Sequence, residues 1–269
     1  MPLFAPRSVK RHLAVAFLLA SATTAQVAAQ PTIGLDVGHY LARPGATSAR
    51  GVPEFEFNRA LALALSGEMR RAGYGTALIA IEGNTTDLVS RPRRAREAGA
   101  VLFLSVHHDS AHERYLRDWE YEGKPRKYLD QRFQGFSLFV SRNNPPWRQA
   151  LDCASAIGER LRAAGFMPSR YHADPVLGEA REFADEVNGV HFFDNLGVLR
   201  SAAIPAVLIE AGVIVNRDDE LRVGGEAGRA RFALAVSEAM PACMREVAKV
   251  VPQLAPAISP PQLPLATPR

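Results

Sequence analysis

Apolar positions along the chain fall into two kinds of run, and the two kinds alternate. Short and nearly continuous apolar runs occur at Thr32–Val37 (TIGLDV), Gly75–Ala80 (GTALIA), Ala100–His108 (AVLFLSVHH), Gly135–Ser141 (GFSLFVS) and Pro205–Val213 (PAVLIEAGV). Runs of that length, mostly without polar interruption, predict strands covered on both faces. Between and after them lie longer segments with helical spacing: EFNRALALALSGEMRRAG (56–73), DLVSRPRRAREAG (87–99), PWRQALDCASAIGERLRAAG (146–165) and GEAGRARFALAVSEAMPACMREVAKVV (225–251). Three of these four end near a glycine, where a left-handed cap costs little. The alternation predicts an α/β fold, a single domain with a mostly parallel twisted sheet and helices on both faces. The stretches Ser110–Gln134 and Met167–Val198 fit no regular element, and insertions of that length in a compact domain are usually functional loops.

The ends of the chain read differently. Arg7, Lys10 and Arg11 precede the apolar run LAVAFLLASA and the small-residue stretch TTAQVAAQ. That order predicts a signal peptide over residues 1–29, cleaved after Ala29 or, as second choice, Ala25. The apolar run is too short to span a bilayer, and no cysteine lies near the cleavage site to take a lipid. From Val251 onward VPQLAPAISPPQLPLATPR carries proline at short intervals, so residues 251–269 read as a disordered tail. Residues 30–250 remain as the folded domain, exported to the periplasm or secreted. Export permits a disulfide between Cys153 and Cys243 without requiring one.

Composition narrows the class only a little. With 47% hydrophobic residues in 269, the chain can bury a full core. The excess of 32 Lys+Arg over 28 Asp+Glu gives a net charge of +4, and part of it lies in the segment expected to be removed. Charge therefore names no partner and gives nucleic acid no support. The expectation is a monomer.

The chemistry gathers at one edge. His39 follows the first predicted strand, His107 closes the third and Glu210 closes the last, so all three fall at carboxyl ends of strands, where open α/β sheets build their sites. Glu54 comes from the first turn of the first helix. Two histidines and a carboxylate that converge with one position open make a common catalytic zinc set, and a further carboxylate nearby can act on water. Singly, each residue also has an ordinary structural use: His39 in a loop, Glu54 at a helix N-terminus, His107 at a strand end, Glu210 in an ion pair.

The segments IGLDVGHY...PGA, GVPEFEFNRALALAL, DLVSRPRRAREAGAVLFLSVHHDS and VLRSAAIPAVLIEAGVIVNRDDE together resemble, in order and spacing, the zinc-dependent N-acetylmuramoyl-L-alanine amidases that cleave septal peptidoglycan. The resemblance runs from Thr32 to about Val247. It implies that His39, Glu54 and His107 bind Zn2+, that Glu210 is the catalytic carboxylate, and that the substrate is the amide joining N-acetylmuramic acid to L-alanine of the stem peptide. It also raises an activator protein, not identified by any motif, and an inhibitory helix over the site. PVLGEAREFADEV (175–187) has helical propensity but is short for that role. No separate wall-binding module is expected.

The chain departs from that pattern at Tyr40-Leu41, where the family usually has Gly-Gly, at Phe55, where a lysine is common, and at His108-Asp109, where Ala-Asn is common. His108 competes with His107 as a ligand. Strand alternation lets only one of them face the metal, and the motif selects His107, leaving His108 structural with Asp109 as an orienting partner. Asp36 reads as a strand-end backbone cap and Asn216 as a loop-shaping residue. Arg91 matches an arginine recurrent in the family segment, yet reads as a solvated helix charge. His172 with Asp174, and His191, lie in the second long loop, where histidines more often touch neither metal nor substrate. Two rival classes remain. A zinc peptidase cutting within the stem would need the same metal and base, whereas a non-catalytic wall-binding protein would have no use for Glu210.

Overall fold

The computed structural model describes residues 30–129 and 133–251. The expected signal peptide and all but the first residue of the expected tail lie outside them. In chain order the elements are β1 (Thr32–Val37), α1 (Glu54–Arg71), β2 (Gly75–Ile79), α2 (Ser90–Glu97), β3 (Ala100–Asp109), β4 (Arg117–Tyr121), β5 (Lys124–Tyr128), β6 (Ser137–Val140), α3 (Trp147–Ala163), β7 (Phe183–Asp185), β8 (Val190–Phe192), α4 (Gly197–Arg200), β9 (Ala206–Val213), α5 (Arg217–Gly224) and α6 (Glu226–Ala248). Seven strands form one sheet in the order β2-β1-β3-β9-β6-β8-β7, while β4 and β5 pair as a separate antiparallel hairpin.

The pairs β1/β2, β1/β3, β3/β9 and β6/β8 are parallel; β6/β9 and β7/β8 are antiparallel. The sheet is mostly parallel, as the alternation of runs predicts. Its two faces are covered separately. Ile33, Leu35 and Val37 of β1, Leu102, Leu104 and Val106 of β3, and Val207 and Ile209 of β9 join the larger core with α1, α3 and α6. The intervening Phe103, Phe139 and Leu208 point to a second core with Ala95 of α2 and Val198 and Leu199 of α4. This period of two explains why the central strands carry no polar face.

Cys153 of α3 and Cys243 of α6 form a disulfide across 90 residues of sequence, settling a pairing that export only permitted. The two long insertions are not without regular structure. The first contains the hairpin β4–β5, and the second supplies β7 and β8 to the sheet edge. Residues 175–187 form turns and β7 rather than a helix. No helix among the described residues is long and apolar enough to cross a membrane.

Candidate active site

The carboxyl ends of β1, β3 and β9 meet the start of α1 around a cavity of about 400 Å³ lined by His39, Glu54, His107 and Glu210 among others. Glu54 lies between the two histidines: its Oε2 is 2.9 Å from His39 Nε2 and its Oε1 is 3.1 Å from His107 Nδ1. The imidazole rings stand edge to face at 4.9 Å. Burial works against a charged carboxylate here, but the hydrogen bonds with His107 and His39 outweigh it and hold Glu54 well below the usual range. One donor atom from each of the three residues lies within 4.8 Å of the other two. Two imidazole nitrogens and a carboxylate oxygen at that spacing fit a zinc ion with a position left open.

Backbone and neighbours hold this arrangement. His39 adopts a left-handed φ of 66°, uncommon for a residue with a Cβ. Arg91, 1% exposed, fixes that turn: it donates to the carbonyls of Val37, His39 and Thr85 and pairs with Asp36 Oδ1 at 2.9 Å. Ser105 Oγ donates to the other oxygen of Asp36. The solvated role for Arg91 and the backbone-capping role for Asp36 are thereby corrected; the two form a buried ion pair under the His39 loop. Two glycines leave room for the His107 and Glu54 side chains. A Cβ on Gly38 would lie 2.3 Å from the His107 ring, and one on Gly45 would lie 2.3 Å from Glu54 Oε2. The VGH and PGA segments are therefore steric requirements of the site.

His107 and His108 part as strand alternation requires. His107 faces the cavity; His108 is buried and its Nδ1 lies 2.8 Å from Asn58 Oδ1. Because the Asn58 amide donates to Glu54 Oε1 and to the Gly38 carbonyl, its oxygen must accept, so His108 Nδ1 carries the proton. Burial pushes His108 down to about 3 and keeps it neutral. Asn58 thus ties His108 to Glu54. Sequence reading passed over Asn58, although its spacing of four from Glu54 puts both on one helix face.

Asp109 is not the partner of His108. Its Oδ2 lies 2.7 Å from His172 Nε2, and His172 Nδ1 lies 2.9 Å from Glu179 Oε2. Burial alone would lower His172, but the two carboxylates raise it to about 9. His172 and Glu179 therefore belong to the cavity wall, whereas His191 does not. His191 is buried in β8 between Phe139 and Phe183, and burial pushes it down to about 3. Asn216 caps α5, accepting from the amides of Asp218 and Asp219, and shapes its loop as expected.

Glu210 sits opposite His107 in the β3/β9 register, which puts both side chains on one face of the sheet. Its Oε2 is buried with no hydrogen-bond partner among the described residues. Burial, followed by the charges of Asp109, Glu54 and Glu179, raises its pKa well above the ordinary carboxylate value. A cation among the three donors would oppose that shift.

A strand-edge cavity with a convergent His–Glu–His set and a spare carboxylate is the arrangement expected of a hydrolase of the α/β class. The sequence matches the family model for N-acetylmuramoyl-L-alanine amidase over residues 33–242. The chain belongs to this family, whose reaction is hydrolysis of the amide between N-acetylmuramic acid and L-alanine in peptidoglycan. Its fold is similar to that of the N-acetylmuramyl-L-alanine amidase Ami1 from Mycobacterium smegmatis, at 19% identity over 80% of this chain and 97% of that one, with a TM-score of 0.63. It is also similar to the catalytic domain of CwlV from Bacillus (Paenibacillus) polymyxa var. colistinus, at 20% identity over 78% and 96%, TM-score 0.56. The CwlD amidase from Clostridioides difficile, solved in complex with the GerS lipoprotein, matches at 18% identity over 82% and 100%, TM-score 0.57. Comparison with curated proteins gave no match.

Proposed function

We propose that the chain hydrolyses the muramoyl–alanine amide as a zinc enzyme, with His39, Glu54 and His107 holding the ion and Glu210 carrying the proton. The observation behind this reading is the unpartnered buried Oε2 of Glu210 in the cavity that the three donors line. Zinc on two neutral imidazoles and one carboxylate would supply Lewis acidity towards water and towards the scissile carbonyl. Glu210 takes a proton from the attacking water as its oxygen bonds to the carbonyl carbon. When the C–N bond breaks, the same carboxyl returns that proton to the amine nitrogen of L-alanine. Asn58, His108 and the Ala46 amide fix the Glu54 carboxylate by hydrogen bonds of 3.1, 3.3 and 3.0 Å. Arg91 fixes His39 through its carbonyl. These contacts orient the donors before any substrate arrives.

Export of the chain belongs to the same proposal. Cleavage behind residue 29 would release the domain into the periplasm or the medium, and the Cys153–Cys243 disulfide suits an oxidising compartment.

Digestion of purified sacculi with the mature protein, zinc-loaded and then chelated, tests the reading. The loaded protein should release stem peptides with L-alanine amino termini and leave glycan strands free of peptide. Chelation should abolish release and zinc should restore it. Products cut only within the stem would favour the peptidase, and full activity in chelator would contradict the metal assignment.

A further inference from the structure

A second cavity, of about 540 Å³, adjoins the catalytic one. The two share Ser110 and Ala111 in their walls. Ala46, another wall residue of the second cavity, donates its amide to Glu54 Oε2 and so stands directly beside the metal donors. The hairpin β4–β5 closes the far side with Arg126 and Lys127.

The two cations are placed differently. Lys127 is already paired with Glu113 at 2.6 Å and stands opposite Asp118 in the hairpin register. Arg126 projects from the opposite face of the hairpin, beside Trp119 in the register. Its guanidinium lies over Gly51, where a Cβ would come within 2.2 Å of Cζ. Its Nε is buried without a hydrogen-bond partner, and it forms no ion pair among the described residues. A partly buried guanidinium with no ion-pair partner among the described residues is free to take an anion in a charge-assisted, bidentate contact. Ala111, Leu116 and Val215 form the apolar part of this cavity, while its carboxylates, Glu113 and Asp118, lie beside Lys127, Glu113 in an ion pair with it and Asp118 opposite it in the hairpin register.

We propose that Arg126 binds a carboxylate of the stem peptide, and that the peptide runs from the scissile amide across Ser110 and Ala111 into this second cavity. The inference rests on the amidase reading above and adds a direction to it. On the two sides of the scissile amide the substrate differs in charge. The peptide carries carboxylates, its C-terminus at the least, whereas the lactyl carboxyl on the sugar side is consumed in the amide. A cation with no ion-pair partner among the described residues, on one side of the catalytic cavity, therefore assigns that side to the peptide.

The experiment compares zinc-loaded wild type with Arg126→Gln on a muramoyl peptide with free carboxylates and on the same peptide with those carboxylates amidated. Wild type should show a lower KM for the free form by about ten-fold, the size of one charge-assisted contact at a partly exposed site. In Arg126→Gln that preference should fall to about one-fold, with the loss in KM rather than kcat. Arg126→Lys, which keeps the charge without the planar fork, should retain part of it. Should the Gln variant fail to fold, a preference undiminished in the Lys variant overturns the proposal. So does a wild type indifferent to amidation, or a preference that survives Arg126→Gln. If wild type leaves the muramoyl amide intact, the amidase reading is what fails; equilibrium binding of the free and amidated stem peptides to the same proteins then decides Arg126 by the same ratio.

Discussion

In one part of the catalytic cavity a carboxylate, Glu54, sits between two imidazoles; in another an imidazole, His172, sits between two carboxylates. The two groups use the same residue types and nearly the same distances, yet their capacities are opposite. Around Glu54 one carboxylate faces two imidazoles, a donor set of the kind that would suit a cation. Around His172 the surplus is negative and the imidazole holds its proton to about 9, with both nitrogens occupied as donors. It has no lone pair for a metal. The same wall thus offers a donor set suited to a metal at one place and an internal salt link at another, and the ratio of acids to histidines separates the two.

The largest effect should come from breaking the first group. Glu54→Gln replaces the proposed anionic ligand by a neutral amide, so zinc content measured by atomic absorption should drop well below one per chain. Turnover should fall by more than about a hundred-fold, since loss of even an outer-shell partner can cost that much. Retention of full zinc by this variant would place the ligand set elsewhere.

A smaller effect should come from the second group. The folded pKa of His172 lies above its ordinary value of 6.5, so folding favours the protonated form. Its contribution is fully present below about pH 6.5 and is lost as pH rises through about 9. That rise amounts to about 3 kcal/mol at most. Urea unfolding of wild type and His172→Gln should therefore show a stability gap at pH 6 that narrows by pH 9.5. Zinc content should be unchanged at both. A gap constant across that window would mean that His172 is not held as a cation.

The comparison also explains what could be read from the chain. The five apolar runs and four helical segments were legible because a core on both sheet faces imposes long apolar signals, and β1, β3, β9, α1 and α6 stand where those signals fall. The proposed donors and Glu210 could be located in the sequence because Glu54 opens α1, His39 lies two residues past β1, and His107 and Glu210 lie in the C-terminal halves of β3 and β9. The short strands β7 and β8 were not, being three residues each and partly polar. Nor was the hairpin of RDWEY and KPRKY, whose charges hide its alternation. Arg91 was misread because SRPRRARE carries basic residues on several faces of a short helix, and only Asp36, 55 residues away, shows which one turns inward. The His172–Asp109 link spans 63 residues and has no local signature.

The central claim is that Glu210 works beside the metal donors without being one of them. Glu210→Gln, assayed for bound zinc and for release of stem peptides in the same preparation, tests it most directly. The amide keeps the size of the side chain but cannot take a proton, so one zinc per chain should remain while turnover falls by roughly two to four orders of magnitude. Loss of zinc from Glu210→Gln, or turnover close to wild type, would contradict the account.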